Sequence, residues 1–324
     1  MKDKVFYVWF DAPIGYISIT ASYTDEWKQW WQNEAEVELY QFMGKDNITF
    51  HTVIFPSTLI GTGQPWTKLN TVSTTEFLNY EIDEKTGKPK KFSKSRNSGV
   101  FGDDAMNTGV PSEVWRYYLL INRPENQDTV FLWSDFLAKN NNELLANLGN
   151  FSNRILKFLV SAFKKVVPGY KGDVHANDAA FISNLMARFR KYCELMEQTK
   201  LKDGLRAAMA MSSECNTYIQ ENQPWVLNKS DAPRCAQVMA TAINALMLLC
   251  VILEPFMPSF SAKVYEQLNW PRKLEHETAI ESLLKKDSFM GLVAGDHVIG
   301  TPEPIFREIK EEEILAWKKK FGGD

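Results

Sequence analysis

The chain has 324 residues, of which 44% are hydrophobic and 24% are charged. This length and composition are typical of a folded globular protein of about two domains. The formal net charge of −3 excludes a basic field over the whole surface, so any contact with nucleic acid must use a local patch.

Two further features limit the class of protein. The longest wholly apolar run, residues 245–253, is too short to cross a bilayer, and the first residues carry no signal-peptide cleavage pattern. The four cysteines have no CxxC spacing; they are Cys193, Cys215, Cys235 and Cys250. We therefore expect a cytoplasmic protein with reduced cysteines, no membrane contact and no metal site in this chain.

Residues 4–10, KVFYVWF, form a nearly continuous run of β-branched and aromatic residues. Such a run predicts a strand buried on both faces of a parallel sheet. The run stops at a turn, and ligands of open α/β sheets bind beyond the carboxyl ends of the strands. Four side chains at this turn could wall an apolar slot: Trp9, Ala12, Pro13 and Tyr16.

The same order of strand, polar turn and helix recurs in the next segment. A strand at residues 37–43 and a helix at residues 48–60 are predicted on either side of a polar turn. Gly44 would let the backbone approach a nucleotide, and Asp46 could accept hydrogen bonds from ribose hydroxyls. His51 would lie one helical turn inside the crevice, although a lone histidine in an apolar helix is more often a core residue.

A hairpin is predicted from residue 75 to 82 and the basic segment that follows. Residues 85–99 contain five lysines and one arginine together with Gly87 and Pro89, which favour a mobile loop. Lysines beside serine hydroxyls suit a phosphate chain, because compact positive charges can follow a phosphoryl group as negative charge develops. Composition alone favours a solvated hairpin tip, so the functional interpretation depends on residues 91–95, KFSKS.

The second half of the chain has the periodicity of helices. Helices are predicted at residues 103–108, 111–121, 135–167, 178–198, 201–221, 232–253, 258–268 and 311–321, and an extended tail at residues 292–309. In the long helix a buried stripe is predicted at helical spacing; it consists of Leu144, Leu148, Phe151 and Ile155.

A second face of the long helix is polar. Asn147, Asn150 and Arg154 share it. Amides and a guanidinium can hydrogen-bond base edges, and an arginine plane can stack on a splayed base. Trp225, beside Pro224 at a helix boundary, could be a stacking platform. The structural alternatives are hydrogen bonds between helices for the polar face and a core wedge for the tryptophan.

Several motifs together carry a family resemblance. Residues 91–95 match the KMSKS motif of class I aminoacyl-tRNA synthetases at four of five positions, with Phe92 in place of methionine. The runs FYVWFDAPIGYIS and YQFMGKDNITFHTVIFP precede this motif. They resemble the methionyl-tRNA synthetase family, of the eukaryotic cytosolic type, and the resemblance extends over nearly the whole chain.

The resemblance implies an α/β fold followed by an all-α region. Residues 1–80 would be the second half of a Rossmann-like catalytic domain, and residues 81–140 the KMSKS loop and stem-contact fold. Residues 141–285 would be a helical-bundle anticodon-binding domain, and residues 286–324 a tail that returns to the catalytic domain.

The resemblance also implies roles for individual residues. The methionine pocket would consist of Trp9, Ala12, Pro13, Tyr16 and His51. The ATP-binding residues would be Gly44, Asp46, Ser93 and Lys94, and the catalytic residues Lys91 and Lys94. The anticodon of tRNA(Met) would contact Asn150, Arg154 and Trp225. Methionine and ATP with Mg²⁺ would be the substrates and cofactor of the ligase reaction.

One feature of the family is missing from the sequence. None of the histidines, His51, His175, His276 and His297, lies in the HIGH motif that the first half of the catalytic domain carries. We therefore expect a C-terminal portion that is inactive alone and that pairs with the N-terminal half of the same enzyme. The alternatives are a non-catalytic tRNA-binding fragment and a class I synthetase for another apolar amino acid, such as leucine or valine.

Overall fold

The structure, a computed structural model, describes residues 3–5, 7–83, 85–270 and 276–322, without the side chains of residues 10 and 276–278. The chain divides into two units. The first comprises Met1–Leu78 and Pro124–Thr129, and the second comprises Asn79–Arg123 and Val130–Asp324.

The first unit is a small α/β arrangement. Two parallel strands, β1 (Leu39–Gly44) and β2 (Leu69–Thr75), pair so that Gly44 lies opposite Thr75. The helices of this unit are α1 (Val8–Asp11), α2 (Ile14–Tyr23), α3 (Trp27–Trp31) and α4 (Phe55–Gly61), the last preceded by π-helical turns at Phe50–Ile54. The buried centre consists of Trp31, Phe55 and Leu59, against which Ile17, Trp27, Leu39 and Trp66 pack.

The prediction of a buried strand at residues 4–10 is wrong. Val5, Tyr7 and Val8 are 95%, 66% and 61% exposed, and α1 begins within the segment. A strand buried on both faces needs neighbouring strands and a covering layer. Among the described residues of this unit only β1 and β2 pair, so a helical turn satisfies backbone groups that would otherwise lack partners.

Three short strands lie mainly in the second unit. Strands β3 (Leu78–Ile82), β4 (Pro89–Lys90) and β5 (Thr129–Phe131) form a sheet in the order β4-β3-β5. The antiparallel pairing of β3 with β4 confirms the predicted hairpin. Helices α5 (Gly102–Asn107) and α6 (Ser112–Ile121) follow, as predicted.

A helical bundle forms the rest of the second unit. The predicted long helix is present as α7 (Trp133–Ala138), π-helical turns at Lys139–Gly149 and α8 (Asn150–Phe163). The remaining helices are α9 (Ala176–Glu197), α10 (Leu201–Asn222), α11 (Pro224–Ser230), α12 (Ala232–Leu253), α13 (Pro258–Gln267), α14 (His276–Lys286) and α15 (Glu311–Phe321). The buried stripe is confirmed, because Leu144, Leu148, Phe151 and Ile155 are at most 2% exposed.

Helix α12 contains the apolar run at residues 245–253. Its 22 residues are long and apolar enough to cross a membrane, with a mean hydropathy of 2.1 in the best window, but 89% of that window is buried. It packs against α8, α10, α11 and α13. Burial within a bundle accounts for a helix that is apolar all round, so α12 is the core helix of this unit.

Candidate functional site

An aromatic cluster of Trp9, Tyr16, Phe50 and His51 lies in the first unit. The Trp9 ring stacks on Phe50 with 4.3 Å between ring centres, and it makes a T-shaped contact with His51 at 5.5 Å. The Tyr16 hydroxyl lies 2.8 Å from His51 Nε2. Sequence reasoning named three of these residues and missed Phe50, which the π-helical turns place beside Trp9.

The hydrogen bonds of His51 fix its tautomer. His51 Nδ1 lies 2.8 Å from the carbonyl oxygen of Asn47, and a carbonyl only accepts, so Nδ1 carries the proton. In the neutral ring Nε2 is then an acceptor, and the Tyr16 hydroxyl donates to it. His51 is 3% exposed whereas Tyr16 is 41% exposed, so the buried imidazole orients a hydroxyl that stays accessible.

The remaining residues of the predicted slot lie in the turn between α1 and α2. Pro13 is buried and Ala12 is exposed. Pro13 also precedes the first residue of α2, a position that suits the fixed φ of proline. The structure therefore brings both Trp9 and Tyr16 into contact with His51. Ala12 and Pro13 lie on the short connection between the helices that carry Trp9 and Tyr16.

A polar turn follows β1 at the carboxyl edge of the two parallel strands. Gly44 has φ −75° and no atom within 4 Å of where a Cβ would stand, so the fold itself does not require glycine there. Asp46 lies exposed in the following 3₁₀ turn. Both residues therefore lie where nucleotides bind in open α/β sheets.

Lys45, which sequence reasoning did not consider, is the most constrained residue of this turn. Its ammonium pairs with Glu76, lies 3.4 Å from Asp128 and sits 4.4 Å from the centre of the Phe77 ring. The hydrogen bond to Glu76, opposed by partial burial and helped by Asp128, raises the pKa of Lys45. Its spacing from β1 could have drawn attention to it, but its acidic partners are distant in the sequence.

The KFSKS segment forms a tight loop in the second unit. Ser93 and Ser98 exchange backbone hydrogen bonds of 2.8 and 3.0 Å, and Lys94–Arg96 form a 3₁₀ turn between them. Asn97 closes the turn with φ 48°, a conformation that asparagine tolerates better than most residues. Backbone hydrogen bonds therefore close the loop into a ring.

The Phe92 side chain packs this loop against two other aromatic residues. Its ring lies 5.3 Å from Tyr80 and 5.9 Å from Phe101, centre to centre. Gly99 has φ 119°, and a Cβ there would lie 2.3 Å from the Phe92 ring. Phe92, which replaces the methionine of the motif, therefore packs tightly against the backbone at Gly99.

The two lysines of the motif remain available for a ligand. Lys91 and Lys94 are exposed, and neither forms an ion pair with an acidic residue in the described part of the chain. The Lys94 ammonium lies 5.5 Å from the centre of the Phe101 ring. Ser93 Oγ lies 3.3 Å from Ser95 Oγ and accepts from Arg96 Nε at 3.3 Å, so hydroxyls and cations share one small surface.

A groove in the bundle contains the residues predicted to contact the anticodon. Asn150 and Arg154 line a cavity of about 460 Å³. Arg154 and Trp225 line a neighbouring, more apolar cavity of about 430 Å³, together with Phe158 and Pro224. The Arg154 guanidinium lies 5.1 Å from the centre of the Trp225 ring and donates to Gln220 Oε1 at 3.5 Å. Arg154 therefore connects the two halves of the groove.

The two asparagines on the polar face have different surroundings. The Asn147 side chain donates to Ser213 Oγ at 2.9 Å and accepts from Ser212 Oγ at 2.9 Å and from Asn216 at 3.0 Å. Asn147 therefore joins the long helix to α10, as the structural alternative proposed. Asn150 is exposed, and no hydrogen bond of its side chain to a described residue is formed, so its amide is available to a partner.

The described ranges contain no cluster of side chains that could bind a metal ion. No group of three or more His, Cys, Asp or Glu side chains stands together there as the ligands of a metal ion would. The four cysteines are free thiols. Burial raises the pKa of Cys193 and of Cys235 to about 11, and it also raises the pKa values of Cys215 and Cys250 well above their usual value. The four thiols are therefore unreactive near neutral pH.

Comparison with known families accounts for most of the chain. Residues 1–156 match the family model of the class I tRNA synthetases (M), and residues 167–324 match that of the anticodon binding domain of methionyl tRNA ligase. The chain is 50% identical over 99% of its length to a "Probable methionine--tRNA ligase" of Oryza sativa subsp. japonica. It is 42% identical over 99% of its length to the "Methionine--tRNA ligase, cytoplasmic" of Homo sapiens. It spans 40% and 34% of the lengths of these relatives.

The solved structures give the fold. The apo form of Mycobacterium tuberculosis methionyl-tRNA synthetase superposes with a TM-score of 0.76 over 94% of this chain and 56% of that one, at 20% identity. The same enzyme in complex with methionyl-adenylate gives 0.74 over 93% of this chain. These matches confirm the predicted order of an α/β region and an all-α bundle. The chain belongs to the methionyl-tRNA synthetase family of the class I tRNA synthetases.

Proposed function

We propose that this chain is part of a methionine–tRNA ligase. In this reaction the methionine carboxylate attacks the α-phosphate of ATP, pyrophosphate leaves, and the methionyl group passes from the adenylate to the 3′ end of tRNA(Met). The proposal rests on sequence identity of 50% and 42%, over 99% of the chain, to proteins named methionine--tRNA ligase. The chain spans less than half of their length, so the activity would belong to the longer polypeptide.

The aromatic cluster suits methionine as the amino acid. A polarizable thioether gains from contact with aromatic rings, and an unbranched side chain needs a narrow slot. Trp9 and Tyr16 would supply the rings, and Ala12 and Pro13 the short wall between them. The Tyr16 hydroxyl, held by His51, would fix one side of the pocket without adding a charge.

The KFSKS loop suits the triphosphate of ATP. Lys91 and Lys94 would neutralise the charge that develops as pyrophosphate leaves, Ser93 would donate from its hydroxyl, and Mg²⁺ would arrive with the nucleotide. At the edge of β1, Gly44 would allow close approach and Asp46 would accept from the ribose. The free space at Gly44 supports a ligand as the reason for glycine there.

The groove of the bundle suits an unpaired anticodon. Sequence-specific RNA recognition uses splayed bases that stack on aromatic or guanidinium planes and hydrogen-bond along their edges. Trp225 would stack on one base, Arg154 would contact the same base or its neighbour, and Asn150 would donate to a base edge. The exposed amide of Asn150 and the 37% exposure of Trp225 support these roles.

The rest of the enzyme would include an N-terminal half of the catalytic domain. Large apolar side chains of the first unit are exposed, including Ile19 at 72% and Tyr23 at 89%, and such patches mark interaction surfaces. We also propose that this chain is divided into four parts, at residues 1–80, 81–140, 141–285 and 286–324. A cytoplasmic location is proposed because the names of several relatives state it.

Pyrophosphate exchange by the full-length protein that carries this sequence tests the proposal. ATP and labelled pyrophosphate are incubated with each standard amino acid in turn, and exchange is expected with methionine above all others. Preferential exchange with leucine or valine would contradict the methionine assignment. The absence of exchange with every amino acid, with retained binding of tRNA(Met), would favour the non-catalytic tRNA-binding alternative.

A further inference from the structure

A second basic surface lies on the side of the KFSKS loop that Lys94 does not line. It is a cavity of about 280 Å³ whose lining includes Lys88, Lys90, Lys91, Arg96, Ser98 and Asp83. We propose that this cavity binds a phosphate group. The ligand is either a backbone phosphodiester of RNA, an assignment that rests on the function proposed above, or free pyrophosphate.

The charges of the cavity are not balanced by its own residues. Lys88, Lys91 and Arg96 form no ion pair with an acidic residue among the described parts of the chain, and Lys90 donates only weakly, at 3.4 Å, to the carbonyl of Gly322. Clustered like charges repel one another, and this repulsion is relieved when an anion binds between them.

Asp83, the carboxylate in the lining, is engaged elsewhere. Its Oδ1 accepts from the backbone N–H groups of Thr86 at 2.8 Å and Lys85 at 2.9 Å, which fixes the hairpin turn. The hydrogen bond from Thr86 is the main cause that lowers the pKa of Asp83, with a smaller contribution from the charge of Lys90. Asp83 is thus held in the turn, and within the described part of the chain the cations of Lys88, Lys91 and Arg96 have no acidic partner.

Ser98 adds a buried hydrogen-bonding group without a partner. The residue is 7% exposed, and its Oγ has no hydrogen-bond partner among the described residues. Its backbone N–H and carbonyl are already paired with Ser93. A buried hydroxyl without a partner costs free energy, and a phosphate oxygen in the cavity would accept from it.

The composition of the lining selects phosphate among anions. Lysine ammonium groups follow the several oxygens of a phosphate, and the Arg96 guanidinium can donate two parallel hydrogen bonds to it. Lys94 does not line the cavity and lies over Phe101 instead. Lys91 does line it, so the loop would hold phosphate on two surfaces that meet at Lys91.

The test uses the 324-residue chain and two variants, Arg96→Gln and Ser98→Ala, with Lys85→Gln as the matched control. Lys85 lies in the same hairpin but outside the lining. One titration uses sodium pyrophosphate and is followed by calorimetry. The other uses a tRNA(Met) transcript at several salt concentrations, followed by filter binding.

Each source of phosphate has its own signature. If the ligand is pyrophosphate, both variants weaken its binding about tenfold, as expected for the loss of a hydrogen bond to a charged group. If it is an RNA phosphodiester, both variants weaken tRNA binding, and Arg96→Gln also reduces the slope of log K against log salt by about 0.7–0.9. Lys85→Gln changes neither beyond a small general effect.

The proposal is overturned if both variants behave like Lys85→Gln in both titrations. Thermal melting checks the fold, and Ser98→Ala is expected to melt no lower than the parent because it removes an unpaired hydroxyl. A transcript with an altered anticodon, titrated in parallel, separates the two proposals. If the chain still prefers the CAU anticodon while both variants bind normally, the cavity assignment fails and the proposed function stands.

Discussion

The guanidinium of Arg154 lies 5.1 Å from the centre of the Trp225 ring. Arg154 is on α8 and Trp225 is in the first turn of α11, so the pair joins two helices across the groove. A cation over an indole face is attractive, by about 0.5–2 kcal/mol. The contact therefore holds the ring in place while 37% of the Trp225 surface remains exposed.

Replacing Trp225 by leucine is expected to weaken binding of a tRNA(Met) transcript. Loss of one base–aromatic stack costs about 1–3 kcal/mol, roughly 5- to 150-fold in affinity. Arg154→Gln is expected to weaken binding too. The control is Arg206→Gln, which changes an exposed arginine on α10 that pairs with Asp203 at 3.4 Å. Equal losses of tRNA affinity in Arg154→Gln and Arg206→Gln would show that Arg154 contributes only through its positive charge and not through a specific contact.

Asn147 and Asn150 are expected to separate stability from RNA binding. Asn147→Ala removes hydrogen bonds to α10, including the one that the buried Ser212 hydroxyl donates, so the free energy of unfolding is expected to fall by about 1–3 kcal/mol. Asn150→Ala is expected to leave the free energy of unfolding within about 0.5 kcal/mol while tRNA binding weakens. Urea denaturation and filter binding measure the two quantities. The reverse pattern would contradict the assignment of both side chains.

The buried ion pair of Asp178 and Arg234 is expected to control acid stability. Asp178 is fully buried and Arg234 nearly so, with Nη2 2.6 Å from Asp178 Oδ1. Burial opposes ionisation of Asp178, but hydrogen bonds from Arg234, Tyr218 and Tyr170 outweigh it and lower its pKa. Arg234→Met leaves this carboxylate without its cation, and the expected loss is about 3–5 kcal/mol.

The sign of the pH dependence follows from this lowered pKa. The contribution of Asp178 is complete above its unfolded pKa of about 3.9 and is lost as the pH falls through the lower folded value. The free energy of unfolding should therefore decrease below about pH 4, and Asp178→Asn should remove part of that decrease. Urea denaturation from acid to neutral pH measures it. Parallel curves for the parent and Asp178→Asn would contradict the prediction.

Alanine is expected to affect stability differently at Gly99 and at Gly44. Gly99→Ala places a Cβ at φ 119° and against the Phe92 ring, and should destabilise the second unit by about 1–3 kcal/mol. Gly44→Ala meets no atom within 4 Å at φ −75° and should leave the melting temperature unchanged. Thermal melting distinguishes them. Equal changes in melting temperature for Gly99→Ala and Gly44→Ala would contradict the prediction.

The helices of the bundle could be predicted because their signal is local. The apolar stripe of Leu144 and Leu148 repeats with the period of a helix. Pro224 marks a helix boundary, and Pro258 marks the start of a helix. Even the bounds of α12 and α15 agree with the prediction. Helix α11 was missed because its seven residues are too few for a periodic pattern.

The strands were harder to predict because they depend on neighbours. Strand β2, with the polar sequence LNTVSTT, was missed because its pairing with β1 across some thirty residues is not visible locally. The apolar segment at residues 4–10 was predicted as a strand because its composition is typical of one. No described strand pairs with it, and a helical turn begins at Val8 instead.

The site could be predicted only in part for the same reason. Asn147 and Asn150 share one face of a helix in the sequence, but the neighbouring α10 binds the first and leaves the second exposed. Likewise the acidic partners of Lys45 come from residues 76 and 128. A side chain's partners depend on tertiary contacts, which a single sequence without an alignment does not contain.

The central claim is that the ammonium of Lys94 stabilises the triphosphate as methionine is activated. The most direct measurement is methionine-dependent pyrophosphate exchange by the full-length protein carrying Lys94→Ala, with Lys85→Ala as the control from the same hairpin. The account predicts that Lys94→Ala lowers kcat about 10²- to 10³-fold with little change in the KM for methionine, while Lys85→Ala leaves both near the parent values. A loss confined to the KM for methionine, or equal losses in the two variants, would contradict it.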